Sequence, residues 1–131
     1  MRSNIPITII LEGAIKISRT IEFTENTLIL HLTGLTSLAA LKRQLEIPYS
    51  AIKDVAIEDF KVSLLQFRVG TSIADIREGR FMLTDKWSFI SYENHKDVIV
   101  LRLIDHEFES VVFQINNPEE VKSRILERIS K

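Results

Sequence analysis

Residues 13–33 read GAIKISRTIEFTENTLILHLT, and the period of this stretch decides the fold class. Ile15, Ile17, Ile21 and Phe23 fall on one side of a two-residue repeat, with Lys16, Ser18, Thr20 and Glu22 on the other. That is the pattern of a half-buried strand, in which successive side chains point to opposite faces. Arg19 breaks the apolar face and places that part of the strand near an edge. Thr24, Glu25 and Asn26 are turn residues, and beyond them Leu28, Leu30 and Leu32 share a face of a second strand. Two alternating runs joined by a short polar turn predict a β-hairpin.

Downstream, Gly34 interrupts the pattern, and the segment Leu35 to Arg43 admits two readings. Leu38, Leu41 and Leu45 fall at helical spacing, with Ser37 as an N-cap and Ala39 and Ala40 as good helix formers, so a short helix is one. A loop returning into a strand over 44–47 is the other. Pro48 ends that strand, Ser50 is placed to cap a single turn over 51–53, and Val55 and Ile57 resume a strand before Glu58 and Asp59.

Strand-like segments then follow at 62–69, 80–84, 87–92, 97–104 and 107–115. Turns are expected between them at 70–79, 85–86, 93–96 and 105–106, which together predict an antiparallel meander. The last element differs. Asn117, Pro118 and Glu120 stand as N-cap, first helical residue and capping-box partner, and Val121, Ile125, Leu126 and Ile129 mark an apolar stripe. Glu119 and Glu120 at the start and Arg124, Arg128 and Lys131 toward the end suit the helix dipole. The sequence has no internal repeat, low-complexity tract or linker composition, so one domain over 1–131 is expected.

Composition narrows the function classes. The chain has 131 residues, 17 Lys+Arg against 18 Asp+Glu, and no Cys. This length is sufficient to bury a core without disulfides. Zero cysteines exclude a disulfide framework, a thiolate nucleophile and a Cys-held metal, and they fit a reducing, cytoplasmic setting. A net charge of −1 gives no whole-surface attraction to nucleic acid, and binding to a membrane surface is not expected. The apolar runs 5–11 and 98–104 are too short to span a bilayer and read as strands, the first without a secretory cleavage pattern.

No cofactor-binding or catalytic motif is legible. The glycines at 13, 34, 70 and 79 are too far apart for a dinucleotide fingerprint or a P-loop, and there is no G-x-S-x-G, H-E-x-x-H or EF-hand pattern. His95 and His106 bracket a strand, which puts their Cα atoms on the order of 30 Å apart, too far to share a metal. His31 is a lone strand histidine, better read as a surface residue than a ligand. Glu107 and Glu109 lie two apart on one face, about 7 Å from each other, and read as a solvated acidic face. The local cluster that invites a binding role is Arg77 and Arg80 with Lys86 and Trp87 at the next turn, where cations beside an aromatic can contact an anion or a partner. Asp75, Glu78 and Asp85 dilute its charge. Lys42 and Arg43 invite the same reading with the same discount.

Several segments taken together resemble the bacterial pleckstrin-homology-like (PH-like) family. They are the entry strands 14–23 and 27–32, the phrase I-P-Y-S-A-I-K-D-V at 47–55, the stretch from Gly70 to Gly79-Arg80-Phe81, and the run V-V-F at 111–113 leading into N-P-E-E at 117–120. The segment 35–43 departs from that pattern as an insertion. The resemblance implies a mainly-β PH-like barrel or pair of packed antiparallel sheets, of about seven strands, with the final helix plugging one open end. It also implies a non-catalytic binding or assembly scaffold, with a protein partner or a homo-oligomer. Eukaryotic relatives of similar fold bind phosphoinositides through basic residues between the first two strands, but that turn here reads Thr24-Glu25-Asn26-Thr27, so this function does not carry over.

Overall fold

The computed structural model describes residues 16–35 and 40–130. The protein is mainly β with one C-terminal helix. The described strands are β1 (Lys16–Phe23), β2 (Thr27–Leu35), β3 (Ala40–Pro48), β4 (Ile52–Glu58), β5 (Phe67–Ile73), β6 (Ile76–Met82), β7 (Trp87–Tyr92), β8 (Val98–Leu103) and β9 (Phe108–Phe113). These nine strands, rather than about seven, form a three-stranded sheet, β1-β2-β3, and a six-stranded sheet, β4-β8-β9-β7-β6-β5. The described strand orders do not close into a barrel. The chain divides into two compact units between Glu46 and Ile47. No linker signal marks the division, because β3 runs across it.

In the first unit, β1 and β2 form the expected antiparallel hairpin, with Phe23 opposite Leu28 and Lys16 opposite Leu35. The two threonines flanking the turn tie it: the Thr24 hydroxyl bonds the Thr27 carbonyl at 3.0 Å and accepts from the Thr27 N–H at 3.0 Å. Leu28, Leu30 and Leu32 are fully buried, as their shared face requires. The helical reading of 35–43 is corrected: Leu35 closes β2, and Ala40 to Arg43 are already strand. Ser37, Leu38 and Ala39, like the strand expected at 5–11, lie outside the described residues.

In the second unit, the single turn expected at 51–53 forms instead at Tyr49–Ala51 as a 3-10 turn, with no side-chain cap. Pro48, with its fixed φ of −61°, starts it, and Ile52 is already extended. The simple antiparallel meander is also corrected. β8 pairs antiparallel with β9, but β7 pairs parallel with β9, which therefore lies between two strands that precede it in sequence. Residues 93–97 bridge β7 to β8 across two strand spacings, about 10 Å, and leave the slot open. β9 suits it because Phe108, Val111, Val112 and Phe113 supply apolar residues to both faces.

The strand expected over 62–69 begins only at Phe67. Before it, residues 59–66 form a strap, tied by the Phe60 N–H to the His95 carbonyl and held at Val62 by side chains. The Val62 N–H donates to the Tyr92 hydroxyl at 3.0 Å, and the Val62 carbonyl accepts from Arg77 Nε and Nη2 at 2.8 and 2.6 Å. Val62 thereby packs into a core with Phe81, Ile90, Tyr92, Val98, Val100 and Val112, flanked by Phe60 and Leu83. Burial of the Tyr92 ring pushes its hydroxyl above the ordinary value of 10.0, so it stays protonated beneath the strap.

The expected turn over 70–79 is a hairpin instead, with its two-residue turn at Ala74-Asp75 and Gly70 opposite Gly79 in the ladder. Their φ angles are +144° and +133°, and a Cβ on Gly70 would stand 2.1 Å from the Glu78 carbonyl oxygen. The glycines serve close approach of two strands rather than a change of direction.

The helix runs from Pro118 to Ile129, as its sequence predicts, and packs on β4, β8 and the 3-10 turn. Ile125 is fully buried, Val121 and Ile129 are half-buried, and Leu126 is exposed, which corrects its place in the stripe. Asn117 adopts a left-handed conformation (φ 56°, ψ 56°) and makes no side-chain cap bond, so the capping box does not form. Its carbonyl still accepts the first helical bond, from Val121 at 3.1 Å.

Candidate functional site

The four residues expected to contact an anion or partner do not form one surface cluster. Arg77 is only 2% exposed. Its guanidinium points inward to the Val62 carbonyl and also donates to the carbonyls of Ala74 at 2.6 Å and Ile76 at 2.9 Å. A planar donor fork surrounded by backbone carbonyls is a structural clamp. Spacing alone could not reveal this, because β6 alternation only assigns Arg77 a face and does not show that a strap covers it.

Arg80 is half-buried. Its Nη2 lies 3.4 Å from Glu107 Oε1, and its Cζ lies 5.5 Å from the Trp87 ring centre and 5.1 Å from that of Phe108. The cation is thus charge-compensated and held against two rings, an arrangement that positions the aromatics. Lys86 is exposed in the turn before Trp87, and its N–H bonds the Thr84 hydroxyl at 3.3 Å. Glu109 accepts from the same hydroxyl at 3.0 Å, so Glu107 and Glu109 serve different partners.

The histidines are likewise engaged separately. His31 Nε2 lies 2.9 Å from Glu22, and His106 Nδ1 accepts the Phe108 N–H at 3.1 Å. His95 contacts Asp75 twice, its N–H donating at 2.9 Å and Nδ1 lying 3.0 Å away. Burial alone would raise the Asp75 carboxyl, but these bonds and the Arg77 charge outweigh it and hold the group below its ordinary 3.8. The Ala74-Asp75 turn is therefore clamped by His95 and Arg77, although Ala74 sits at a left-handed φ of 50°. Lys42 and Arg43 are exposed on β3.

The surface that does stand out is one the sequence did not single out. Leu64, Leu65, Phe67 and Val69 are 50%, 93%, 66% and 60% exposed, and all lie within six consecutive residues. Phe67 touches Trp87 across β6, with ring centres 5.7 Å apart, so the apolar platform continues from β5 onto β7. β5 is also the end strand of the six-stranded sheet, and no strand among the described residues pairs with its outer side. Its seven residues FRVGTSI carry one charge, Arg68, and no Pro or Lys. Beyond Arg68, the strand itself carries none of the residue types that usually keep edge strands from pairing. The signal was present as the pair Phe67 and Val69, but alternation cannot tell an exposed apolar face from a buried one.

No family model, curated protein or solved structure matches this chain. No helix among the described residues is long and apolar enough to cross a membrane.

Proposed function

We propose that this chain is a non-catalytic protein-interaction module that accepts an extended segment of its partner along β5. One observation carries the proposal: β5, whose outer side pairs with no strand among the described residues, lies beside exposed Leu64, Leu65, Phe67 and Val69. In such strand addition the main chain supplies the hydrogen bonds, and alternate side chains of the incoming strand settle on the apolar platform of Phe67, Val69 and Trp87. Arg80 assists by fixing the Trp87 ring from beneath.

The PH-like arrangement is part of the same proposal, supported by the order of elements: an entry hairpin, a 3-10 turn in the I-P-Y-S phrase, and a last strand leading into a terminal helix. So is a reducing, cytoplasmic setting, which suits a chain without cysteine. Binding of anionic lipid or a phosphorylated ligand through Arg77, Arg80 and Lys86 is the weaker reading, because Arg77 is buried in the clamp and Arg80 is paired with Glu107.

The test is position-specific photo-crosslinking in native cells. A photoreactive residue at Phe67 is expected to give discrete protein adducts, lost when Val69→Lys is added, while one at exposed Glu22 gives none. Equal adducts from both positions, or none from Phe67, would contradict the reading.

A further inference from the structure

We infer that the segment received by β5 is an acidic one, an extended strand in which carboxylate and apolar side chains alternate. This rests on the strand-accepting reading above and names the chemistry of its partner. The two faces of β5 differ. Arg68 stands directly opposite Phe81, which lies in the core beneath the strap, so Arg68 is on the strap side of the sheet. Phe67 and Val69, its neighbours in the strand, are on the other side with Trp87. A strand laid beside β5 has the same period, so the residue it sets opposite Arg68 is flanked by two that it sets beside Phe67 and Val69. A carboxylate at the first position and apolar residues at the other two match all three.

The charges around the edge select the carboxylate. Arg68 on β5 and Lys61 on the strap are exposed, as is Lys86 in the turn that leads to Trp87. None of these three side chains has a carboxylate partner among the described residues. The Arg68 guanidinium makes one bond, 3.3 Å to the Leu64 carbonyl, and keeps its other N–H groups for an incoming carboxylate.

The chain's own carboxylates are engaged or distant. Asp75 is held by His95 and by the Arg77 charge, Asp59 accepts the Asp97 N–H, and Glu107 pairs with Arg80. Asp85 is exposed next to Lys86 and offsets that cation alone. Glu107 and Glu109, at the start of β9, lie four strand spacings from a strand beside β5, about 19 Å and beyond a Debye length at physiological salt. Together with Asp85 they stand at the same end of the sheet as Lys86, where they would repel a broad anionic surface such as a membrane. A single strand along the edge escapes that repulsion.

The test titrates the full chain with capped octapeptides that alternate valine with glutamate, valine with lysine, or serine with glutamate. Strict alternation makes the register immaterial. Binding is read from the backbone amide shifts of Phe67–Ile73 and from the fluorescence of Trp87, the one tryptophan of the chain, which touches Phe67. The valine–glutamate peptide is expected to bind about fivefold or more tighter than either control, with its margin over the valine–lysine peptide shrinking as salt is added. Arg68→Glu should reverse the preference between those two peptides, and Lys61→Glu should narrow it. Both positions are exposed, and unchanged amide shifts in Trp87–Tyr92 verify that each variant is folded. Equal or tighter binding of the valine–lysine or serine–glutamate peptide overturns the inference and leaves strand acceptance standing. Binding of vesicles containing anionic lipid in place of the peptides overturns it in favour of a membrane surface. Binding of no peptide overturns it as well, and the crosslinking from Phe67 then decides whether β5 receives a strand at all.

Discussion

β5 and β7 belong to one sheet, are separated only by β6, and are similarly apolar, yet they lead opposite lives. In β7, Ser88 through Tyr92 are all buried, because the strap and core cover one face while Phe89 packs against Phe108 on the other. In β5, Phe67 to Gly70 are exposed and the remaining three residues are half-buried. The difference teaches that in this sheet position, not composition, separates core from contact surface. A strand with neighbours on both sides and cover on both faces stabilises the fold, and the end strand leaves its apolar side chains free for something else.

The sharpest way to break that comparison is to truncate one phenylalanine from each setting. Phe81→Ala, next to β7 in the core, should cost about 3–5 kcal/mol in denaturant melts. Phe67→Ala should cost at most about 0.5 kcal/mol when measured on the dilute chain. Similar losses at both sites would show that β5 is part of the core.

The helix offers the same contrast within one element. Ile125→Ala should cost about 2–5 kcal/mol, whereas Leu126→Ala, one residue on and exposed, should stay within about 0.5 kcal/mol. A somewhat smaller effect is expected from Arg77→Met, which keeps the side-chain length but strips the Val62 and Ala74 carbonyls of their donor. The loss should be about 1.5–3 kcal/mol, with faster amide exchange at Val62 as the strap loosens. Arg68→Met on β5 should change neither.

The smallest expected effect concerns pH. Asp75 titrates below its ordinary 3.8 in the folded chain, so its contribution is complete above that value and is lost as pH falls through the depressed one. Asp75→Asn should therefore flatten the fall in stability below about pH 4 and leave its slope near neutrality unchanged. An identical acid limb in the two proteins would show that the His95–Asp75 contact carries no linkage.

Where local pattern and global position agree, the sequence was readable. The β1–β2 hairpin, β7 at Trp87–Tyr92 and the helix at Pro118–Ile129 all follow from period and termini. The failures share a physical cause, which is partners distant in sequence. Gly70 and Gly79 look like turn residues until β5 and β6 are seen to press together there. β9 looks like the last strand of a meander because nothing local announces its parallel pairing with β7. Arg77 looks like a surface cation because the carbonyl that binds it lies 15 residues away. Of the residues the sequence singles out, Trp87 touches the exposed platform through Phe67 and Arg80 lies against Trp87, whereas Leu64, Leu65, Phe67 and Val69 read only as parts of a strand. Whether such residues are covered depends on strand order, which hydrophobic alternation does not encode.

The most direct test of the open β5 edge is residue-resolved amide hydrogen exchange. The account predicts that the amides of Phe67–Ile73 that point away from β6 exchange readily, while those of Trp87–Tyr92, which lie between β6 and β9, are slow throughout. Exchange at the outward β5 amides that is as slow as in β7 would contradict it.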